Sequence, residues 1–321
     1  MNAGLGDRAA VLVLLLAAPL PWLVESGTLV HFGIMVFQAA TLGQAWNILG
    51  GMGGQFSFGH AAFFGAGAYA TAILQLRFGW DAWSGFSAAL LAGAAVAGVI
   101  GLASFRFGLR GSYFALVTLA FAEVLRILAN TLEITGAGVG LLLPLAPGLE
   151  RLQFADRRGY YLFALLLCAA SLLVARAVAG SRLGVRLVAV RENEEAASAL
   201  GVDPFAVKMR AILLSGTLAA AAGAFYVQYF LYLDPHIAFG PQVSVEALLG
   251  PIVGGAGTVA GPLAGAFLLQ LLGEASRALT GGATGANLVV YGIVLILIVR
   301  FLPGGLAGLA RARAARAGAA P

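Results

Sequence analysis

Tyr160-Tyr161-Leu162-Phe163-Ala164-Leu165-Leu166-Leu167-Cys168-Ala169-Ala170-Ser171-Leu172-Leu173-Val174-Ala175-Arg176-Ala177-Val178 is an apolar run that meets its first charge only two residues before its end. A charged stretch follows, Ser181-Arg182-Leu183-Gly184-Val185-Arg186-Leu187-Val188-Ala189-Val190-Arg191-Glu192-Asn193-Glu194-Glu195-Ala196-Ala197-Ser198-Ala199-Leu200-Gly201-Val202-Asp203-Pro204, and a second apolar run covers residues 209 to 231. About 20 apolar residues in helical form cross a hydrocarbon core, and the helix satisfies its own backbone there. Span, charged loop, span is therefore the reading: two membrane helices joined through water.

The same pattern extends outward in both directions. Further spans are expected near residues 9 to 24, 28 to 49, 54 to 75, 84 to 105 and 112 to 132, and a last one near 286 to 302. Residues 9 to 24 follow Arg8 and lack a clear small-residue cleavage site, so they are read as a first membrane helix and not as a leader. The stretch from 243 to 272 would reach about 45 Å as one helix, too long for the core, and Gly254-Gly255-Ala256-Gly257 with Gly261-Pro262 interrupts it. A hairpin or a re-entrant pair of half-helices is expected there. The fold class is thus all-α, a polytopic bundle of eight spans plus a re-entrant pair, or ten spans, forming one domain over residues 1 to 321.

Composition agrees. Of 321 residues 60% are hydrophobic and 10% charged, and the 45 glycines suit helices that pack backbone to backbone in lipid. The net charge of +5 belongs to loops, not to a nucleic-acid surface. With residues 179 to 208 placed in the cytoplasm, Arg8, Arg106, Arg110, Arg176, Arg182, Arg186, Arg191, Lys208, Arg210, Arg300, Arg311, Arg313 and Arg316 fall inside. Only Arg77, Arg151, Arg157, Arg158 and Arg277 fall outside, so basic residues favour this orientation by thirteen to five. Both termini then lie in the cytoplasm, the carboxyl end as a frayed tail over residues 303 to 321, provided that 243 to 272 returns to the side it entered from.

Local chemistry punctuates the charged loop. Asn193 is a helix N-cap, Glu194 and Glu195 occupy the first turn where the dipole favours acids, and Gly201 suits a left-handed end. Asp203 caps the next helix, with Pro204 at its first position, and this helix continues into the following span. By this chemistry alone the short helix is either an ordinary amphipathic connector or a docking element.

Arg191-Glu192-Asn193-Glu194-Glu195-Ala196-Ala197, running on to Leu200-Gly201-Val202, resembles the loop by which permeases of ABC importers dock on their ATPase, and is most similar to the branched-chain amino acid permeases of the LivM type. Trp46-Asn47-Ile48-Leu49-Gly50-Gly51-Met52-Gly53-Gly54-Gln55-Phe56-Ser57-Phe58-Gly59-His60-Ala61-Ala62-Phe63 resembles the same family's Gly-rich segment. So do Gly254-Gly255-Ala256-Gly257 and Leu109-Arg110-Gly111-Ser112-Tyr113-Phe114-Ala115-Leu116-Val117-Thr118-Leu119-Ala120-Phe121-Ala122-Glu123. Ala211-Ile212-Leu213-Leu214 lacks the proline of the general importer motif, which points away from the other importer classes.

The resemblance implies an ABC importer permease fold and a branched-chain amino acid or similar small solute. It implies as partners a second homologous permease, two ATP-binding subunits that hold ATP and magnesium, and an external solute-binding protein. Coupling to the ATPase would rest on Arg191, Glu192, Asn193, Glu194, Glu195, Ala196, Ala197 and Gly201. Candidates for the translocation path are Asn47, Gly51, Gly53, Gly54, Gln55, Ser57, His60, Gly254, Gly255 and Gly257, because broken spans mark solute paths, although close helix packing would want the same glycines. His60 has no second ligand at metal spacing, and Glu123 with Arg126, like Glu274 with Arg277, reads as a local pair.

The chain has no phosphate-binding loop and only one lysine, Lys208, so energy has to come from a partner and no cofactor is expected in this chain. Neither a zinc-protease nor a serine-hydrolase motif is present. Sister permeases for urea, amides or other amino acids, and an ion-coupled secondary carrier, are the alternatives.

Overall fold

The structure is a computed structural model that describes residues 4 to 24, 26 to 280, 286 to 301 and 304 to 308. The chain begins with α1 (Gly4–Ala17) and α2 (Leu20–Leu23), so the first expected span is broken. Pro19 and Pro21 account for the break, since neither can donate to the helix ladder. Next comes α3 (Gly27–Trp46), which loosens into a wider-wound segment, Asn47–Met52, at its end. Residues 53 to 59 are not helical, and α4 (His60–Phe78) starts six residues later than the sequence pattern suggests. The glycine-rich run thus leaves helical geometry as expected.

The helices α5 (Ala82–Phe105) and α6 (Gly111–Thr131) follow, then a loop with a two-residue strand, β1 (Leu141–Leu142), and α7 (Arg157–Ala179). The charged loop carries α8 (Arg182–Glu192) and α9 (Glu194–Ala199) before the long α10 (Pro204–Phe230). Beyond it β2 (Tyr232–Leu233) pairs antiparallel with β1, Leu141 opposite Leu233 and Leu142 opposite Tyr232, and ties two loops together at the end of the bundle away from α9.

The interrupted stretch becomes α11 (Pro235–Phe239), α12 (Pro241–Gly254) and α13 (Gly261–Thr280), with α12 and α13 packed as a hairpin. The first arm is longer than its sequence signal suggests, because α11 and α12 together form an apolar segment of 20 residues. The last described helix is α14 (Ala286–Phe301). By length and composition, five segments among the described residues could cross a membrane: α5, α6, α7, α10 and Pro235–Gly254. The expected tail is only partly outside the described residues: 304 to 308 turn back, and Gly305 and Ala307 lie beside Gly255.

The core of the bundle is α10 with α4 and α5, which make its most extensive contacts. Small residues allow that closeness: a methyl on Gly216 would lie 2.5 Å from Ala97 Cβ and 2.8 Å from the Gly93 carbonyl oxygen. No hydrophobic effect presses helices together in lipid, so such backbone proximity supplies the attraction through dispersion. Across the molecule, α3 lies between α7 on one side and the α12–α13 hairpin on the other.

Candidate functional site

The charged loop is built as a chain of capped helices. Ser181 Oγ accepts from the amides of Leu183 and Gly184 and starts α8, which buries Gly184, Leu187 and Val190. This helix was not anticipated from the sequence, although Ser181 and the spacing of Leu183, Leu187 and Val190 carry the signal. Asn193 then ends α8 and starts α9, its Oδ1 accepting from the Ala196 amide at 2.9 Å. Gly201 takes φ +84°, and Asp203 Oδ1 accepts from the Ala206 amide at 3.2 Å ahead of Pro204. The punctuation of the loop follows the sequence reading residue by residue.

What α9 shows to the outside is Glu195, Ala196, Ser198 and Ala199, with Leu200 just beyond them 86% exposed, while Ala197 is buried. Glu194 points the other way. Its Oε2 accepts from Lys208 Nζ at 2.6 Å and from Arg110 Nε at 3.1 Å. Lys208 is only 3% exposed and its ammonium lies 5.7 Å from the centre of the Phe105 ring. A buried ammonium needs such a partner, because an unpaired charge there is strongly destabilising. Glu194, held by Lys208 of α10 and by Arg110 at the start of α6, thus anchors α9 to both helices, a role the sequence did not reveal because the partners are brought in by packing.

The two glycine breaks meet one another. Asn47 Nδ2 donates to the Thr258 carbonyl at 2.8 Å, and the Gly257 amide donates to Asn47 Oδ1 at 2.7 Å. Gln44 Nε2 donates to the Val259 carbonyl at 2.6 Å. Side-chain amides here satisfy backbone groups that the broken helices leave over. Thr258 closes its own turn, with Oγ1 donating to the Gly255 carbonyl and accepting from the Gly261 amide. On the other break Trp46 Nε1 donates to the Ser57 carbonyl at 2.9 Å, and Gln55 Nε2 donates weakly to the Gly53 carbonyl.

Arg191 joins this interlock to the charged loop. One of its guanidinium nitrogens donates to the Gly51 carbonyl at 3.0 Å, and its stem packs on Gly54, which has φ +67°. A methyl on Gly257 would lie 3.4 Å from the same guanidinium. Arg191 also pairs with Glu192 at 2.7 Å. Both breaks therefore lie against α8, at the end of the bundle that carries α9.

Most of the path candidates are enclosed. Asn47, Gly51, Gly53, Gln55, Ser57, Gly254 and Gly255 are buried, Gly257 is half-buried, and Gly54 is open to the outside. His60 is fully buried and hydrogen-bonded to Ser215 Oγ at 2.8 Å, so it joins α4 to α10. The pairs Glu123–Arg126 and Glu274–Arg277 form as the three-residue spacing implies.

A family model described as the branched-chain amino acid transport system permease component matches residues 28–299. The chain belongs to this permease family. It is 30% identical over 326 residues to the high-affinity branched-chain amino acid transport system permease protein LivM of Escherichia coli K12, covering 94% of this chain and 75% of that one. The LivM protein of Salmonella typhimurium is also 30% identical, over 93% of this chain and 74% of its own length. LivH of Escherichia coli K12 is 28% identical over 128 residues, 40% of each chain. No solved structure matches. As a permease, the chain is a multi-pass membrane protein and not itself an enzyme.

Proposed function

We propose that this chain is one of two homologous permease subunits of an ATP-driven ABC importer that carries leucine, isoleucine and valine into the cytoplasm. ATP and magnesium are held by two partner ATPase subunits, which close on nucleotide and grip the exposed face of Glu195, Ala196, Ala199 and Leu200. An external binding protein delivers the solute. The family match supports the importer reading, and the Arg191 hydrogen bond to Gly51 supports its coupling route, because it connects the docking loop to the point where the two broken spans interlock. Movement of α8 and α9 thereby reaches the Gly51 carbonyl directly, and Asn47, bonded to the Gly257 amide, lies in the same interlock.

The test is leucine uptake by vesicles holding the complete complex. Uptake is expected to require ATP inside and binding protein outside, and isolated chain is expected to hydrolyse no ATP. In the same vesicles Gly201→Val is expected to cut coupled uptake about tenfold. A left-handed residue with a β-carbon costs roughly 1–2 kcal/mol, and nothing else lies within 4 Å to complicate the change. Gly201→Asn, which tolerates that geometry, is expected to retain most uptake. Vesicles that take up urea or an amide and no branched-chain amino acid would reassign the substrate.

Orientation follows from the basic residues, with α9 and the carboxyl terminus both cytoplasmic. Single cysteines at Ala199 and at Ala319, the latter outside the described residues, in a Cys168→Ala background are expected to resist impermeant thiol reagents in intact cells and to react after permeabilisation. Labelling of only one from outside would reverse the hairpin topology.

A further inference from the structure

Glu246 is the one carboxylate between Asp234 and Glu274, and it falls near the middle of the 20-residue apolar segment Pro235–Gly254. Its neighbours Ala247, Leu248 and Leu249 are buried, whereas Glu246 itself faces outward from the chain. Gln242 Nε2 donates to one of its oxygens at 3.2 Å, leaving the other without a partner among the described residues. No described basic side chain pairs with it. Glu246 also borders a groove whose walls include Ala39 of α3, Leu249 and Gly250 of α12, and Leu269 and Gln270 of α13.

A carboxylate at this depth cannot face hydrocarbon without a heavy penalty, so water, solute or another protein surface has to cover it. We propose that Glu246, with Gln270 beside it, receives the ammonium group of a zwitterionic amino acid as it passes between this chain and the second permease. The carboxylate oxygen without a partner and the glutamine carbonyls supply acceptors for the ammonium hydrogens. The site rests on the functional reading above, but its geometry belongs to this chain alone.

The test uses the complete complex with Glu246→Cys in a Cys168→Ala background, after subunit stoichiometry has been checked. Leucine uptake is expected to fall roughly tenfold to a hundredfold, the range for losing a charge-assisted hydrogen bond. Modification of the new thiol with a sulfonate reagent, which returns a negative charge, is expected to restore much of the uptake. A trimethylammonium reagent should react at the same site without restoring it, and leucine should slow both reactions. A thiol that no water-soluble reagent reaches in any nucleotide state overturns the proposal, because the position then faces lipid. Failure of Glu246→Cys to assemble, together with a Glu246→Gln complex that assembles poorly but transports normally per complex, overturns it in favour of a bond between subunits. If the parent complex takes up no branched-chain amino acid, the functional reading fails by itself. Labelling and its protection by the solute actually carried then decide the site.

Discussion

A Gly51→Val chain is expected to reach the membrane and assemble, yet to support less than about one hundredth of normal uptake. A β-carbon at Gly51 would collide with Asn47 Oδ1 and lie 2.5 Å from the Gly257 amide nitrogen. Neither can yield cheaply, since Asn47 holds Gly257 and Thr258 through two hydrogen bonds, and the Gly257 obstacle is backbone. Forcing extra volume into such a contact costs roughly 1–3 kcal/mol, and each buried amide left without its partner costs about as much again. The sum separates the two breaks. Gly148→Ala, where nothing lies within 4 Å, is the control and is expected to transport normally. Normal uptake by Gly51→Val would show that transport does not need the breaks in contact.

Arg191→Ala is expected to uncouple the transporter instead of stopping it. ATP hydrolysis by the complex should continue, because the exposed face of α9 is left intact, while ATP consumed per leucine carried rises about tenfold. The substitution removes the donor to the Gly51 carbonyl and the stem that packs on Gly54. Loss of a hydrogen bond to a charged group, roughly 1.5–3 kcal/mol, is enough for that factor. Arg191→Lys keeps the charge but not the planar fork and should fall between the two. Arg186→Ala, exposed on the same helix, should leave the ratio unchanged. Uptake and hydrolysis falling in parallel in Arg191→Ala would place the residue in ATPase docking and not in transmission.

The contrast between what was and was not readable from sequence follows from distance along the chain. Asn193, Gly201, Asp203 and Pro204 act on residues two to four away, so their types alone announce caps and a left-handed turn. The glycine runs announce breaks for the same reason. That the breaks touch depends on Asn47 meeting Thr258, 211 residues on, and no local pattern encodes such a meeting. The pairing of Glu194 with Lys208 and Arg110 is hidden in the same way. Two features are local and legible: Ser181 with its spaced apolar residues marks α8, and a lone acid in an apolar span marks Glu246. The extension of α12 by α11 was obscured by Pro235, Gly240 and Pro241, which read as loop although the two prolines each start a helix.

The seam between α10, α4 and α5 has a mechanical meaning. Backbones that meet through glycine and alanine leave no soft side-chain layer between them, so this part of the bundle resists compression. α10 begins at Pro204, three residues after the turn that ends the α9 loop, and runs unbroken for 27 residues, about 40 Å. If α9 receives a push, α10 would carry it as a strut, with α4 and α5 preventing it from buckling. At its far end the β1–β2 ribbon fastens α10 to the loop before α7, so such a displacement would be delivered to the opposite face.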